Sequence, residues 1–252
     1  MIYGYGYVNN HMPTLKATVM RGGSIAPSSL LTGLYAVYKG ESNTNDSLGN
    51  YNGTPYGGLT YSGGKSGNAF NLNGTTAYVS LPNDSFNFTG NVTGNFSISC
   101  WINLNSVSGN QAIFSNLSYL AGVSNGWFLL MRNNKLYFEF YQSNGTYDYL
   151  TSNTNLSTSA WYHISVVRVF SQSTKIYING ALDISNSSTY NPSYASGIPI
   201  PSAIGAWKYD ALTAIMYLNG KIDEVNVWNR ELTATEVTTL YNSGTGKFYP
   251  TF

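Results

Sequence analysis

Hydrolysis of a glycosidic bond needs two carboxylates flanking that bond, one to give a proton and one to attack or to activate water. On a β-strand such a pair comes from acids two or four residues apart, because alternate side chains share a face. The 252-residue chain holds eleven acids, and none of them forms that pattern. Asp223 and Glu224 are adjacent and point to opposite faces, whereas Glu41/Asp46 and Glu231/Glu236 lie too far apart. Ser-His-Asp chemistry is no better served: His11 stands near the amino end, and His163 alternates with its neighbours in WYHISVVR as a strand member. Gly64-Lys65-Ser66 matches the end of a phosphate-binding loop, but the earlier glycine that loop requires falls on Leu59. No helical pattern follows it, so the segment reads as a Gly-rich turn with an exposed lysine. These residues predict no catalytic activity.

Aromatic side chains offer a different chemistry. In AWKYDALTAIMYL, Trp207, Lys208, Tyr209 and Asp210 occupy a loop between Ile204-Gly205 and Asn219-Gly220. An aromatic face stacks on the apolar face of a sugar while neighbouring polar groups take its hydroxyls. Tyr147 and Tyr149, two residues apart after the Asn144-Gly145 turn, share a face and can join such a platform. Aromatic residues make up 15% of the chain, so a packed or scattered-surface role is the alternative for each.

The elements that position these residues read as β-strands. In FSISCWINL, Phe96, Ile98, Cys100, Ile102 and Leu104 share one face, and Ser97, Ser99, Trp101 and Asn103 the other. Cys100, the only cysteine, excludes an internal disulfide and reads as a small core hydrophobe. GWFLLMRNNKLYFEFYQSNGTYDYLTS carries turns at Asn133-Asn134 and Asn144-Gly145, predicting three consecutive antiparallel strands. NAFNLNGTTAYVSLP reads as two strands around Asn73-Gly74, and Asn179-Gly180 as a type I′ turn. The segment NGKIDEVNVWNRELTATEVTTLYNSG predicts a turn, a strand through Ile222, Val225, Val227 and Trp228, and a short helix. Thr233 and Glu236 form a capping-box signature there, with Gly244 as the stop.

The length suits one large all-β domain, residues 30–252, and no second copy is visible. Residues 1–29 differ: the alternation Tyr3-Gly4-Tyr5-Gly6-Tyr7 reads as an arm that orders on a neighbouring subunit through Tyr3, Tyr5 and Tyr7. Charged residues are 9% of the chain and the net charge is +1, which gives nucleic acid no electrostatic footing. No apolar stretch approaches membrane-spanning length, so membrane insertion is not expected. The first residues, MIYGYGYVNNHMPTLKATVMRG, lack a basic start and an uninterrupted apolar run, and standard amino-terminal export is not expected either.

Several segments, in order, carry a family resemblance: the first strand with NDSLG, AFNLNGTTAYV, FSISCW, WYHIS, IYING, IG and GKIDEV. Over residues 34–244 the chain resembles laminin-G-like domains of the concanavalin A-like lectin/glucanase superfamily. The resemblance implies a two-sheet antiparallel β-sandwich, a concanavalin A-like jelly roll, with one short C-terminal helix. It also implies a possible structural calcium at Asp46 and Asp223, since acidic positions recur in this family near the first and last strands. A hard cation takes carboxylate and carbonyl oxygens, and an Asn/Asp/Gly loop supplies both. The alternative reading has Asp46 bonding its own turn and Asp223 making a surface salt bridge or capping backbone N–H groups, with Glu224 a solvated charge.

The functional expectation is a non-catalytic structural or adhesion module. It is a phage virion component, such as a fibre, tail or capsid-decorating protein, joined to other virion proteins in an oligomer or larger assembly by residues 1–29 and exposing its sandwich to cell-surface glycan. The alternative is a bacterial extracellular or cell-surface carbohydrate-binding or adhesion module; a glycan hydrolase comes third.

Overall fold

The computed structural model describes residues 29–88, 94–120, 123–142, 144–189, 191, 199–210 and 213–252. The expected arm lies outside these residues except for Ser29, which opens a 3-10 turn with Leu30 and Leu31. The strands in chain order are β1 (Leu34–Tyr38), β2 (Thr54–Tyr56), β3 (Thr60–Gly63), β4 (Asn68–Asn73), β5 (Tyr78–Leu81), β6 (Phe96–Leu104), β7 (Asn110–Leu120), β8 (Val123–Arg132), β9 (Lys135–Tyr141), β10 (Tyr147–Thr151), β11 (Trp161–Val169), β12 (Ser173–Ile178), β13 (Ala181–Ser187), β14 (Ser202–Ile204), β15 (Trp207–Lys208), β16 (Ala214–Ile215) and β17 (Asn219–Trp228). The helix α1 (Ala234–Tyr241) follows.

Two antiparallel sheets form a sandwich, as expected for a jelly roll. The first runs β13-β12-β11-β6-β17-β4-β3, with β1 also on β17; the second runs β10-β9-β8-β7-β14-β5-β2. The three-strand unit β8-β9-β10 forms through its two turns. Asn179 and Gly180 both take positive φ between β12 and β13, as a type I′ turn requires. The strands on either side of Asn73-Gly74 are β4 and β5, which belong to different sheets, so this turn crosses from one layer to the other.

The alternation in β6 works as a division between layers. Phe96, Ile98, Cys100, Ile102 and Leu104 all lie in the core between the sheets, with Phe70, Ile164 and Val227 beside them and Phe114, Trp127 and Phe138 opposite. Burial pushes the Cys100 thiol up to about 12, which keeps it protonated and inert. Trp127 is fully buried, and its Nε1–H donates to Phe86 O at 3.1 Å, so its one polar atom is satisfied.

The other face of β6 is buried too. Trp228, Val167 and Tyr177 meet Leu30, Val237, Leu240 and Phe252 in a second apolar cluster, which seats α1 on the outside of the first sheet. The capping box closes as its residues imply: the Glu236 N–H donates to Thr233 Oγ1 at 3.2 Å, and the Thr233 N–H to Glu236 Oε2 at 2.9 Å. Arg230 pairs with the same carboxylate at 2.7 and 2.9 Å, and this pairing holds Glu236 down at about 2. The helix ends earlier than Gly244 implies. Asn242 takes the left-handed cap at φ 47, a conformation asparagine tolerates because its short side chain bonds locally.

Candidate functional site

β17 changes partner halfway along. Asn219 to Ile222 pair with β4, and Val225 to Trp228 pair with β1. Asp223 and Glu224 fall at the seam, in a bulge where the register with β6 also shifts. Glu224 sits at φ 48, a left-handed backbone that is rare for its residue type. Asp223 is fully buried and seals the seam: the Lys65 and Ser66 N–H groups donate to Oδ2 at 2.7 and 3.0 Å, and that of Glu224 to Oδ1 at 2.9 Å. Gly64 leaves room for this, since a Cβ there would lie 2.5 Å from Asp223 Oδ2. Glu41 serves the same turn by accepting the Asn68 N–H at 3.1 Å.

Glu224 corrects the expectation of a solvated charge. Its side chain is only 1% exposed, and neither carboxylate oxygen has a hydrogen-bond partner among the described residues. Burial pushes its carboxyl up to about 8, with the Asp223 charge adding to the effect. Burial likewise pushes Asp223 up to about 7 against its three amide donors, so a surface salt bridge does not describe it.

Asp46 is buried and serves its own loop and β1. Val37 and Leu48 N–H groups donate to Oδ1 at 2.9 and 3.0 Å, and those of Asn50 and Tyr51 to Oδ2, both at 3.1 Å. A cation at Asp46 would have to displace these backbone donors, which fill both oxygens; Asp223 Oδ2 is filled in the same way, and only its Oδ1 keeps a lone pair. Among the described residues no group of three or more His, Cys, Asp or Glu side chains converges as a metal site. The donor set therefore does not fit a calcium ion shared by Asp46 and Asp223.

His163 and Ser99 lie together on the outer face of the first sheet, with His163 Nε2 and Ser99 Oγ 2.8 Å apart. Both are buried, and burial pushes the imidazole down to about 3. A neutral, enclosed histidine in a strand cannot serve an external substrate as a base.

The aromatic candidates lie on the outer face of the second sheet. Trp207 and Lys208 form the short strand β15 rather than a loop, pairing with β16. Trp207 lies 5.6 Å from Phe128 and 5.5 Å from Tyr209 between ring centroids, and its Nε1–H donates to Leu117 O at 3.0 Å. Asp210 Oδ1 accepts the Thr213 N–H at 2.6 Å, which helps to close the turn between β15 and β16. On the other side of the face, Tyr147 and Tyr149 stack 6.4 Å apart and are 57% and 52% exposed.

Residues that sequence reasoning did not single out bridge these two groups. Tyr141 stacks on Tyr147 at 5.4 Å and Tyr137 on Tyr149 at 6.4 Å, and both pack against the cluster containing Phe128, with Trp207 and Met216. Glu139, paired with Tyr149 on one side and Phe128 on the other, stands in the middle row. Its Oε2 accepts the Tyr141 hydroxyl at 2.9 Å, and Arg132 pairs with Oε1 at 2.9 Å while stacking on the Tyr137 ring at 4.6 Å. Burial, reinforced by Glu139, raises the Tyr141 phenol well above its ordinary range, so it remains a proton donor. The result is a row of half-exposed rings around one locked ion pair. Such a face can stack and accept hydrogen bonds, and among the described residues its strands bring no second carboxylate to face Glu139.

The laminin-G sequence profile of the concanavalin A-like lectin/glucanases superfamily matches residues 73–238, more than half of the chain. The chain belongs to this superfamily. No curated protein sequence matches it. This laminin-G-like chain is similar in fold to domain 4 of AbnA, a GH43 extracellular arabinanase from Geobacillus stearothermophilus, solved in complex with arabinotriose. Identity there is 21%, over 85% of this chain and 98% of that one, with a TM-score of 0.62. It is also similar to the binding domain of Paraclostridial Mosquitocidal Protein 1, at 20% identity over 85% of this chain and 53% of that one, TM-score 0.67. A third similarity is to botulinum neurotoxin type C, whose cell entry depends on interaction with two ganglioside molecules, at 19% identity over 85% and 52%, TM-score 0.66. The chain spans about half the length of these two toxin structures. At such identities the likeness is one of fold.

Proposed function

We propose that this chain is a non-catalytic binding module that presents the outer face of its second sheet to glycan. The observation that carries the reading is that Trp207, Tyr209, Tyr147 and Tyr149 are joined through Tyr137 and Tyr141, over the buried ring of Phe128, into one aromatic face. Sugars offer apolar ring faces bordered by hydroxyls, and this surface offers rings bordered by the Glu139–Arg132 pair. Relatives in fold solved with arabinotriose, or acting through gangliosides, support the same reading. Trp207→Ala and Tyr149→Ala variants should each lose glycan-array signal about tenfold or more, because each removes a stacking platform. Unchanged array signal in both variants would remove the face from consideration. Release of reducing sugar from any bound glycan would overturn the non-catalytic assignment.

At the finer level, the module is a phage virion component held in an oligomer or larger assembly by residues 1–29. The low charge and the Tyr-Gly alternation of the first residues support this. The second reading is a bacterial extracellular carbohydrate-binding or adhesion module, favoured by the similarity to a domain of an extracellular arabinanase. Genomic neighbours separate the two: adjacent capsid and tail genes support the first, and adjacent secreted glycanase genes the second.

A further inference from the structure

Beside the aromatic face the sandwich has an open edge, where β10 of the second sheet approaches β12 and β13 of the first. A cavity of about 290 Å³ lies there, lined by Tyr147, Asp148, Gln172, Ser187, Ser188 and Thr189. Tyr147 belongs to both features. Its ring stacks on Tyr141 and Tyr149, and the residue is part of the cavity lining. Asp148, the next residue along the edge strand, points the other way by strand alternation and lines the cavity.

The chemistry of this lining is narrow. Apart from Tyr147 it consists of hydroxyls, one amide and one carboxylate, and among the described residues no cation lines it. Asp148 is oriented before any ligand arrives: the Ser188 hydroxyl donates to Oδ2 at 2.5 Å and the Tyr149 N–H to Oδ1 at 2.7 Å. Each carboxylate oxygen has capacity for a further hydrogen bond. Arg168, which feels the Asp148 charge from within the sandwich, is 1% exposed, stacks on the Phe140 ring at 4.6 Å and donates to Thr174 Oγ1 and Asn191 Oδ1. It is committed to the interior and does not line the cavity.

We infer that this edge cavity is a subsite for one neutral sugar unit, which stacks against Tyr147 and donates hydroxyls to Asp148. This rests on the reading of the aromatic face as a glycan platform and gives it a selectivity. The size is at the small end of ligand pockets, which run from roughly 300 to 1,000 Å³, and so suits a terminal unit more than a mid-chain segment. A fixed carboxylate accepts hydroxyl donors strongly and opposes a sugar that carries its own carboxylate. Glycans ending in an unsubstituted hexose or pentose are therefore bound in preference to those ending in sialic or uronic acid.

The test uses the full chain and a panel of neutral arabino-, xylo-, gluco- and galacto-oligosaccharides, each beside a counterpart ending in a uronic or sialic acid. Calorimetric titration of the wild type should give at least tenfold tighter binding to the neutral members. Asp148→Asn, which preserves shape and removes the charge, should weaken neutral binding about tenfold and narrow the gap to acidic glycans. Gln172→Ala, at an exposed turn position, should weaken neutral binding with no change in melting temperature. Equal or tighter binding of acidic glycans by the wild type overturns the inference, as does unaltered selectivity in Asp148→Asn. If Trp207→Ala abolishes binding while Asp148→Asn and Gln172→Ala leave it untouched, the face stands and the subsite falls. If no member of the panel binds, both readings fall.

Discussion

Asp46 accepts four backbone N–H groups and the Glu224 side chain accepts none among the described residues, although both carboxylates are buried. The two therefore make opposite predictions. Asp46→Ala strands four amide donors and should lower stability by roughly 3 kcal/mol or more, read as the shift in a urea unfolding curve. Because those donors occupy its oxygens, chelation with EDTA should leave the melting temperature and metal content of the wild type unchanged. A drop on chelation would restore a cation to Asp46 and Asp223. Glu224 governs pH dependence instead. Its folded value of about 8 and that of Asp223, about 7, stand above their ordinary values of 4.5 and 3.8. The folded chain holds these protons longer than the unfolded one, so the stability they contribute is full at low pH and lost as pH rises through the folded values. His163, pushed down to about 3 from 6.5, acts in the opposite sense: its contribution is full above pH 6.5 and lost as pH falls toward 3. Between pH 6.5 and 8 only the carboxyls of these three titrate, and the melting temperature should fall across that window. Glu224→Gln should remove much of the fall, roughly 2 kcal/mol of pH-dependent stability.

At the level of elements, α1 depends on its first turn. Eight residues are too few for an isolated helix in water, so capping and packing hold it. Thr233→Ala removes the acceptor for the Glu236 N–H and should cost about 1 kcal/mol, measured by chemical denaturation. The helix should stay docked, because Val237 and Leu240 remain against Trp228 and Arg230 still grips Glu236. β17 shows why the closing segment contains adjacent acids. A strand that serves β4 with one half and β1 with the other leaves amide groups at the seam, and Asp223 satisfies those of Lys65 and Ser66. From spacing alone the two adjacent acids are not expected to share a strand face. Their burial was not legible, because the 64–67 turn that buries Asp223 lies about 160 positions away in sequence.

For the whole molecule, the arm supplies the remaining prediction. Ser29 O accepts Arg230 Nη2 at 2.7 Å and Leu30 O accepts Trp228 Nε1 at 2.7 Å, so the sandwich already includes Ser29. Deleting residues 1–28 should leave the melting temperature unchanged and abolish assembly in sedimentation velocity; unfolding on deletion would make the arm part of the core. The strand alternation of β6, the β8-β9-β10 turns and the Thr233–Glu236 cap were legible in the residues alone, because period, turn chemistry and capping are local properties; the jelly-roll class came from the family resemblance of the ordered motifs. Tertiary structure decided the rest. In KLYFEFY, Leu136, Phe138 and Phe140 alternate with Lys135, Tyr137, Glu139 and Tyr141, so alternation separates an apolar face from an amphipathic one without saying which strands extend either face. Only the pairing of β9 between β8 and β10, and the packing of Phe138 against Trp127, turns the tyrosines outward to join Trp207. A face built from four separate stretches of chain exists only once long-range pairing has placed them side by side.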